Sequence, residues 1–202
     1  MLSSQLKIKI KTSLFLALLF ATSSPVYAGL DVDMVANIKN STCKSGLSNL
    51  GNIDLGVVGV EYFSGNVTAE DNYPGGREFT VTVTDCAIQG SGNVLNQLHI
   101  NFKPLNGVMA TGSQQIFANE NVAGAQNVGV VIFSIQDPAN TFNVLNPAGS
   151  SRSIYPVMTA DLNNSSWKFY TRMQKINPAL NIASGQVKST VLIDIYYEYS
   201  HA

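Results

Sequence analysis

Charge is scarce in this chain, and so are the side chains that most often perform chemistry. Of 202 residues, 12% are Asp, Glu, Lys or Arg, two are histidine, two are cysteine and one is tryptophan. Basic and acidic residues nearly balance, 12 against 13, and no basic run marks a nucleic-acid footprint. His99 lies between Leu98 and Ile100, on the face opposite the apolar one, where a solvated sheet histidine is expected rather than a catalytic base. His201 stands near the chain end. There is no Gly-x-Ser-x-Gly elbow, no phosphate loop and no His-Glu-x-x-His pair. The carboxylates are scattered, with no two placed as an acid and a base. The expectation is a non-enzyme with no cofactor, no metal, no small-molecule substrate and no nucleic-acid partner.

What is present begins with the N-terminus. "MLSSQLKIKIKTSLFLALLFATSSPVYAGL" has Lys7, Lys9 and Lys11, an apolar run from Leu14 to Ala21, and Val26-Tyr27-Ala28 before Gly29. A basic head, a short apolar middle and small residues before the cut read as a secretory signal peptide over 1–28. The run is too short for a transmembrane helix, and no later stretch approaches that length. Cleavage after Ala28 removes three lysines and leaves acidic residues in excess.

Export changes the meaning of the cysteines. Two in an exported chain, Cys43 and Cys86, imply a disulfide, since an intramolecular bridge has one possible pairing; the alternative is two free thiols.

The rest reads as short strands separated by turns. Alternation marks "LDVDMVANI", a short strand in "GNIDLGVVGV", "REFTVTVTDC" after a turn at "NYPGG", and "NQLHINFKP" before the Asn106-Gly107 turn. "SQQIFANENVAG" is a weaker strand, and "NVGVVIFSIQDPAN", the most apolar stretch after the signal, is expected to be central. "TFNVL", "WKFYTRMQK" and a terminal strand with alternating Val187, Ser189, Val191, Ile193, Ile195, Tyr197 and Tyr199 complete the series. Sustained helical periodicity is missing, so a sandwich or barrel is predicted.

In this order the residues resemble the pilin subunits of chaperone–usher fimbriae, in particular the minor, adaptor-type subunits of type 1-like pili. The likeness is carried by "LDVDMVANIKNSTC", "DLG" at Asp54–Gly56, "FTVTVTDC", "AQNVGVVIF", "FYTRM" and the tyrosine-bearing "IYYEYS", with Gly185 at the family's spacing before Tyr199. Two departures stand out: Ser200-His201-Ala202 follow that tyrosine, and Ala36 stands where the arm usually carries glycine.

The resemblance implies an all-β, incomplete immunoglobulin-like sandwich that lacks its last strand and is completed by donor-strand complementation. It divides the exported chain into a donor extension, 29–38, and a pilin domain, 39–202. Leu30, Val32, Met34 and Ala36 would be the donor side chains. Gly185, Val191, Ile193, Ile195, Tyr197 and Tyr199 would border the groove and meet the chaperone. The implied partners are a periplasmic chaperone, an outer-membrane usher and neighbouring subunits; the implied location is the cell-surface fimbrium, reached through the periplasm. A tip adhesin binding a host receptor, with loop residues such as Tyr73–Arg77 as a site, and a fibre terminator are the other readings.

Overall fold

The computed structural model of the chain describes residues 32–36, 43–87 and 93–199. The signal segment, Leu30, and Ser200-His201-Ala202 lie outside the described residues. The strands are β1 (Val32–Ala36), β2 (Lys44–Leu47), β3 (Asn52–Ile53), β4 (Arg77–Thr84), β5 (Leu95–Pro104), β6 (Phe117–Ala118), β7 (Val128–Ser134), β8 (Phe142–Asn143), β9 (Ile154–Met158), β10 (Ser165–Lys175) and β11 (Val191–Tyr199). Helix is confined, among the described residues, to single turns at Ser48–Gly51, Val60–Phe63 and Thr159–Leu162.

These strands form two sheets. One has the order β3-β1-β11-β5-β9; the other has β2-β4-β10-β7-β6, with β8 also on β7. Neither sheet closes on itself, so the fold is a sandwich and not a closed barrel. The core lies between the sheets because alternate residues of each strand point inward. Phe79 and Phe169 of one sheet meet Phe102 of the other, with ring centroids 6.4 and 4.9 Å away. Tyr155 stacks on Trp167 at 4.4 Å, and its hydroxyl donates to Ser134 Oγ at 2.7 Å.

Strand β7 is buried along its whole length, as its unbroken apolar sequence predicts. Val130 and Ile132 face the main core, while Val131 and Phe133 join a second cluster with Ala110 and Ile116 on the outer side of the sheet. The disulfide is formed between Cys43 and Cys86, where β2 and β4 end their ladder at the Lys44–Thr84 pair. A cross-link over 43 residues contributes about 4 kcal/mol in the chain-entropy model.

Three elements depart from expectation. β9, "IYPVM", has no alternating signal strong enough to stand out, and Pro156 argues against a strand. The strand forms because it is the sheet's edge, where the residue without an N–H is tolerated. The strand expected in "GNIDLGVVGV" stops after Ile53: Asp54 Oδ1 accepts from Gly56 N at 2.7 Å, and Gly56 takes φ 73°. The "SQQIFANENVAG" strand shrinks to Phe117–Ala118.

Candidate functional site

Strand β11 is bonded to β5 along its whole length. It pairs antiparallel with β5 from Val191 opposite Pro104 to Tyr199 opposite Asn96. Val191, Ile193 and Ile195 project into the core and are buried. The turn that delivers β11 is pinned on both sides: Thr190 donates from N and Oγ1 to the Glu120 carboxylate at 3.1 and 2.8 Å, and Leu105 N donates to Thr190 O at 2.9 Å. Tyr197 is half-buried against the core, and its hydroxyl donates to Ala87 O at 2.9 Å. Gly185 lies before β11, not within it. Its segment passes so near Gly124–Ala125 that a Cβ at 185 would sit 2.4 Å from Ala125 N, which excludes a larger residue.

The other edge of β11 is taken by the chain's own β1. Met34, Val35 and Ala36 are level with Val191, Leu192 and Ile193, and the two strands run parallel. On its far side β1 pairs antiparallel with β3, Val32 with Ile53 and Asp33 with Asn52. Val32, Met34 and Ala36 thus share the register of three buried residues, Ile53, Val191 and Ile193. These are three of the four positions expected in the donor arm. Beyond Val32 the same gap continues as a small apolar cavity of about 40 Å³. It lies between the stretch after β3 (Gly56, Val58) and the stretch before β11 (Gly185, Val187), with Val128 and Met173 beneath.

No family model matches the chain. It is 69% identical over 195 residues to the fimbrial-like protein YadK of Escherichia coli K12, an alignment that covers 96% of this chain and 98% of that protein. The chain belongs to the fimbrial-like proteins. Among solved structures it is similar to the CupB6 tip adhesin from Pseudomonas aeruginosa, with a TM-score of 0.45 and 11% identity over 87% of this chain. It spans 42% of that adhesin's length.

This fimbrial-like protein has a second structured feature that its sequence does not announce. The segment from Val67 to Gly76 crosses the outer face of the sheet as a strap, and β10 holds it. The Arg172 guanidinium is almost wholly buried there. Its Nη2 donates to Thr68 O and Asp71 O at 2.8 and 2.6 Å, and its Nη1 donates to Gln174 Oε1 at 2.5 Å. Gln174 Nε2 donates to Val67 O at 2.8 Å, and the Tyr170 hydroxyl accepts from Gly76 N at 2.6 Å and donates to Tyr73 O at 2.9 Å. Burial lowers the Arg172 pKa from its ordinary value, opposed by Tyr62, Tyr170 and Asp71. Burial likewise pushes the Tyr62 phenol up to about 12. Tyr73, proposed from the sequence as a loop residue open to a receptor, packs edge-on against Tyr62 at 5.6 Å and lines a cavity of about 430 Å³ beside Arg172 and Lys175.

Asp71 shapes the turn that Arg172 reads. Thr68 donates to its carboxylate from both N and Oγ1, each at 2.8 Å, and these bonds lower the Asp71 pKa below its ordinary value. A carboxyl lowered by folding stabilises above its unfolded pKa, near 3.8, and that contribution disappears as pH falls through the lower folded value. Asp71→Asn is therefore expected to lower the denaturation midpoint at neutral pH, with the difference from wild type closing as pH falls below the unfolded value of 3.8. A constant difference across the acid range in equilibrium unfolding would contradict this.

The histidine expectation needs correction. His99 is buried, 8% exposed, because Tyr196 of β11 stacks on its ring at 4.5 Å with an interplanar angle of 9°. A neighbouring strand's aromatic, not solvent, covers that face.

Proposed function

We propose that this chain is a structural subunit of a surface fimbria, assembled by donor-strand exchange. Residues 1–28 direct export and are removed, 29–38 act as the donor strand, and 39–202 form the pilin domain. The role is that of an in-line, adaptor-type subunit, and it is not catalytic. A periplasmic chaperone and an outer-membrane usher handle the subunit before neighbours join it.

One observation carries this reading. The edge of β11 is completed by a short strand from the far N-terminal end of the chain, with alternate residues in register with the core. A sheet edge completed this way accepts a strand as a separable part: main-chain hydrogen bonds supply pairing, and alternate side chains supply selectivity. Without such a strand the edge is exposed, which is an aggregation hazard and a reason for a chaperone.

The test is strand uptake. A labelled peptide of residues Gly29–Ile38 is mixed with a chaperone-held neighbouring subunit, and chaperone release is followed. Wild-type peptide is expected to displace the chaperone, and a Val32→Asp peptide to do so at least tenfold more slowly, because an unpaired carboxylate is strongly disfavoured at an apolar register position. Equal rates would overturn the proposal.

A further inference from the structure

We infer that the cavity beside Arg172 is a binding site for a small organic carboxylate with an apolar, ring-sized body. The inference concerns the strap side of β10 and is independent of the donor-strand reading. Its basis is a buried cation with no anion paired to it. Arg172 gives its hydrogen bonds to the carbonyls of Thr68, Asp71 and Met173 and to Gln174 Oε1, all of them neutral. The Phe133 ring, 5.4 Å from Arg172 Cζ, attracts the guanidinium but brings no charge. Buried charges are normally paired. The two nearby carboxylates are committed elsewhere. Asp71 accepts from Thr68 N and Oγ1 in an exposed turn, and Glu70 pairs with Arg152 at 2.8 Å.

The cavity gives the missing counter-charge a place. Its volume of about 430 Å³ falls within the range of small-molecule sites, roughly 300–1,000 Å³. Among the described residues its wall carries two cations, Arg172 and Lys175, and no Asp or Glu. Lys175 Nζ donates to the carbonyl of Pro178, another wall residue, at 3.0 Å, which uses one of its three protons. Two further donors belong to wall residues. Tyr62 and Arg172 lie close enough to sense each other's charge, but in a geometry that leaves Tyr62 Oη and Arg172 Nε buried without a hydrogen-bond partner. Buried donors without acceptors are costly. A carboxylate supplies acceptors for them and a charge for both cations, in charge-assisted bonds stronger than neutral ones.

The rest of the wall selects the body that carries the carboxylate. Phe63, Val67, Ile116 and Ile176 are apolar, and Tyr62 and Tyr73 meet edge to face with ring centroids 5.6 Å apart. A bare inorganic anion leaves these side chains facing water. An apolar ring covers them and gains from their burial and from edge or face contact with the two tyrosines. A sugar acid satisfies the cations equally well but sets its hydroxyls against hydrocarbon, where they lose the hydrogen bonds they make in water.

Calorimetric titration of the purified protein with phenylacetate, at neutral pH and low salt, tests this. Saturable binding is expected, with amide chemical-shift changes confined to residues 62–73, 112–116 and 172–178. Phenylethanol, which keeps the ring and lacks the charge, is expected to bind at least tenfold more weakly. Glucuronate, a carboxylate on a hydroxylated ring, is expected to do the same. Lys175→Glu leaves Arg172 and the strap in place and is expected to weaken phenylacetate binding at least tenfold, while Lys175→Arg retains it. If Lys175→Glu does not fold, Lys175→Gln takes its place, with a loss of at least threefold expected. No saturable phenylacetate binding, shift changes elsewhere on the molecule, or a Lys175 charge variant that binds as wild type would overturn the inference. Phenylethanol binding as tightly as phenylacetate would overturn it by showing a purely apolar site, and tighter binding of glucuronate would overturn it in favour of a sugar acid.

Discussion

Ile193→Asp is expected to remove the subunit from the soluble pool. Ile193 is fully buried on β11, opposite Phe102 of β5 and level with Ala36 of β1. The substitution forfeits roughly 1.5–3 kcal/mol of apolar burial. It also places a carboxylate among hydrocarbon, which costs several kcal/mol more unless the group is paired or neutralised. Together these approach the whole stability of a typical domain, about 5–15 kcal/mol. Two controls separate this from a general effect on the strand. Ile193→Val should cost only about 0.5–1.5 kcal/mol. Leu192→Asp, one residue away on the outer and only partly buried face, should leave most of the protein soluble. Soluble yield after expression and the denaturation midpoint of each variant are the readouts. Wild-type yield for Ile193→Asp would mean that β11 is not a core strand.

Arg172→Ala is the second large effect, and it acts on the opposite side of the molecule. The side chain is the largest of those fully buried, and it bonds carbonyls on residues 104 and 101 positions earlier in the chain. Removing it leaves Thr68 O, Asp71 O, Met173 O and Gln174 Oε1 without this donor in a largely buried site. Each charge-assisted bond is worth roughly 1.5–3 kcal/mol, and the cavity left by the side chain adds to the loss. A total of about 3–5 kcal/mol is expected. Arg172→Lys should not restore it, because one ammonium, with three donors, cannot reproduce a planar fork that addresses four oxygens at once. The structural consequence is specific: the strap should loosen while the sandwich persists. Faster proteolysis or hydrogen exchange confined to residues 67–76 would register it. Unchanged protection of the strap would show that Arg172 does not hold it.

These two residues also mark how far the sequence could be followed. Ile193 was legible: strict alternation from Val191 to Tyr199 placed Val191, Ile193 and Ile195 on one face, and those residues are buried. The same argument located β4, β5 and β10. The even cysteine count located the bridge. Arg172 was not legible as a buried residue. In "WKFYTRMQK" it alternates with Phe169, Thr171 and Met173 as an outward residue should, and it does point outward from the core. What encloses it is a strap from a remote stretch whose own sequence shows no strong pattern. His99 was misread for the same reason, since Tyr196 covers it from the next strand. β9 was hidden by Pro156, which is tolerated only because the strand ends up at an edge.

Local alternation by itself determined which residues share a strand face, that the domain is all-β, and that Val32–Ala36 and Val191–Tyr199 are strands. Periodicity is written into every second residue, and it needs no knowledge of neighbours. Tertiary structure alone decided which faces are covered, which strand lies beside β11, and in which direction it runs. Those outcomes depend on contacts between segments far apart in the chain, such as that of Arg172 with Thr68 and Asp71.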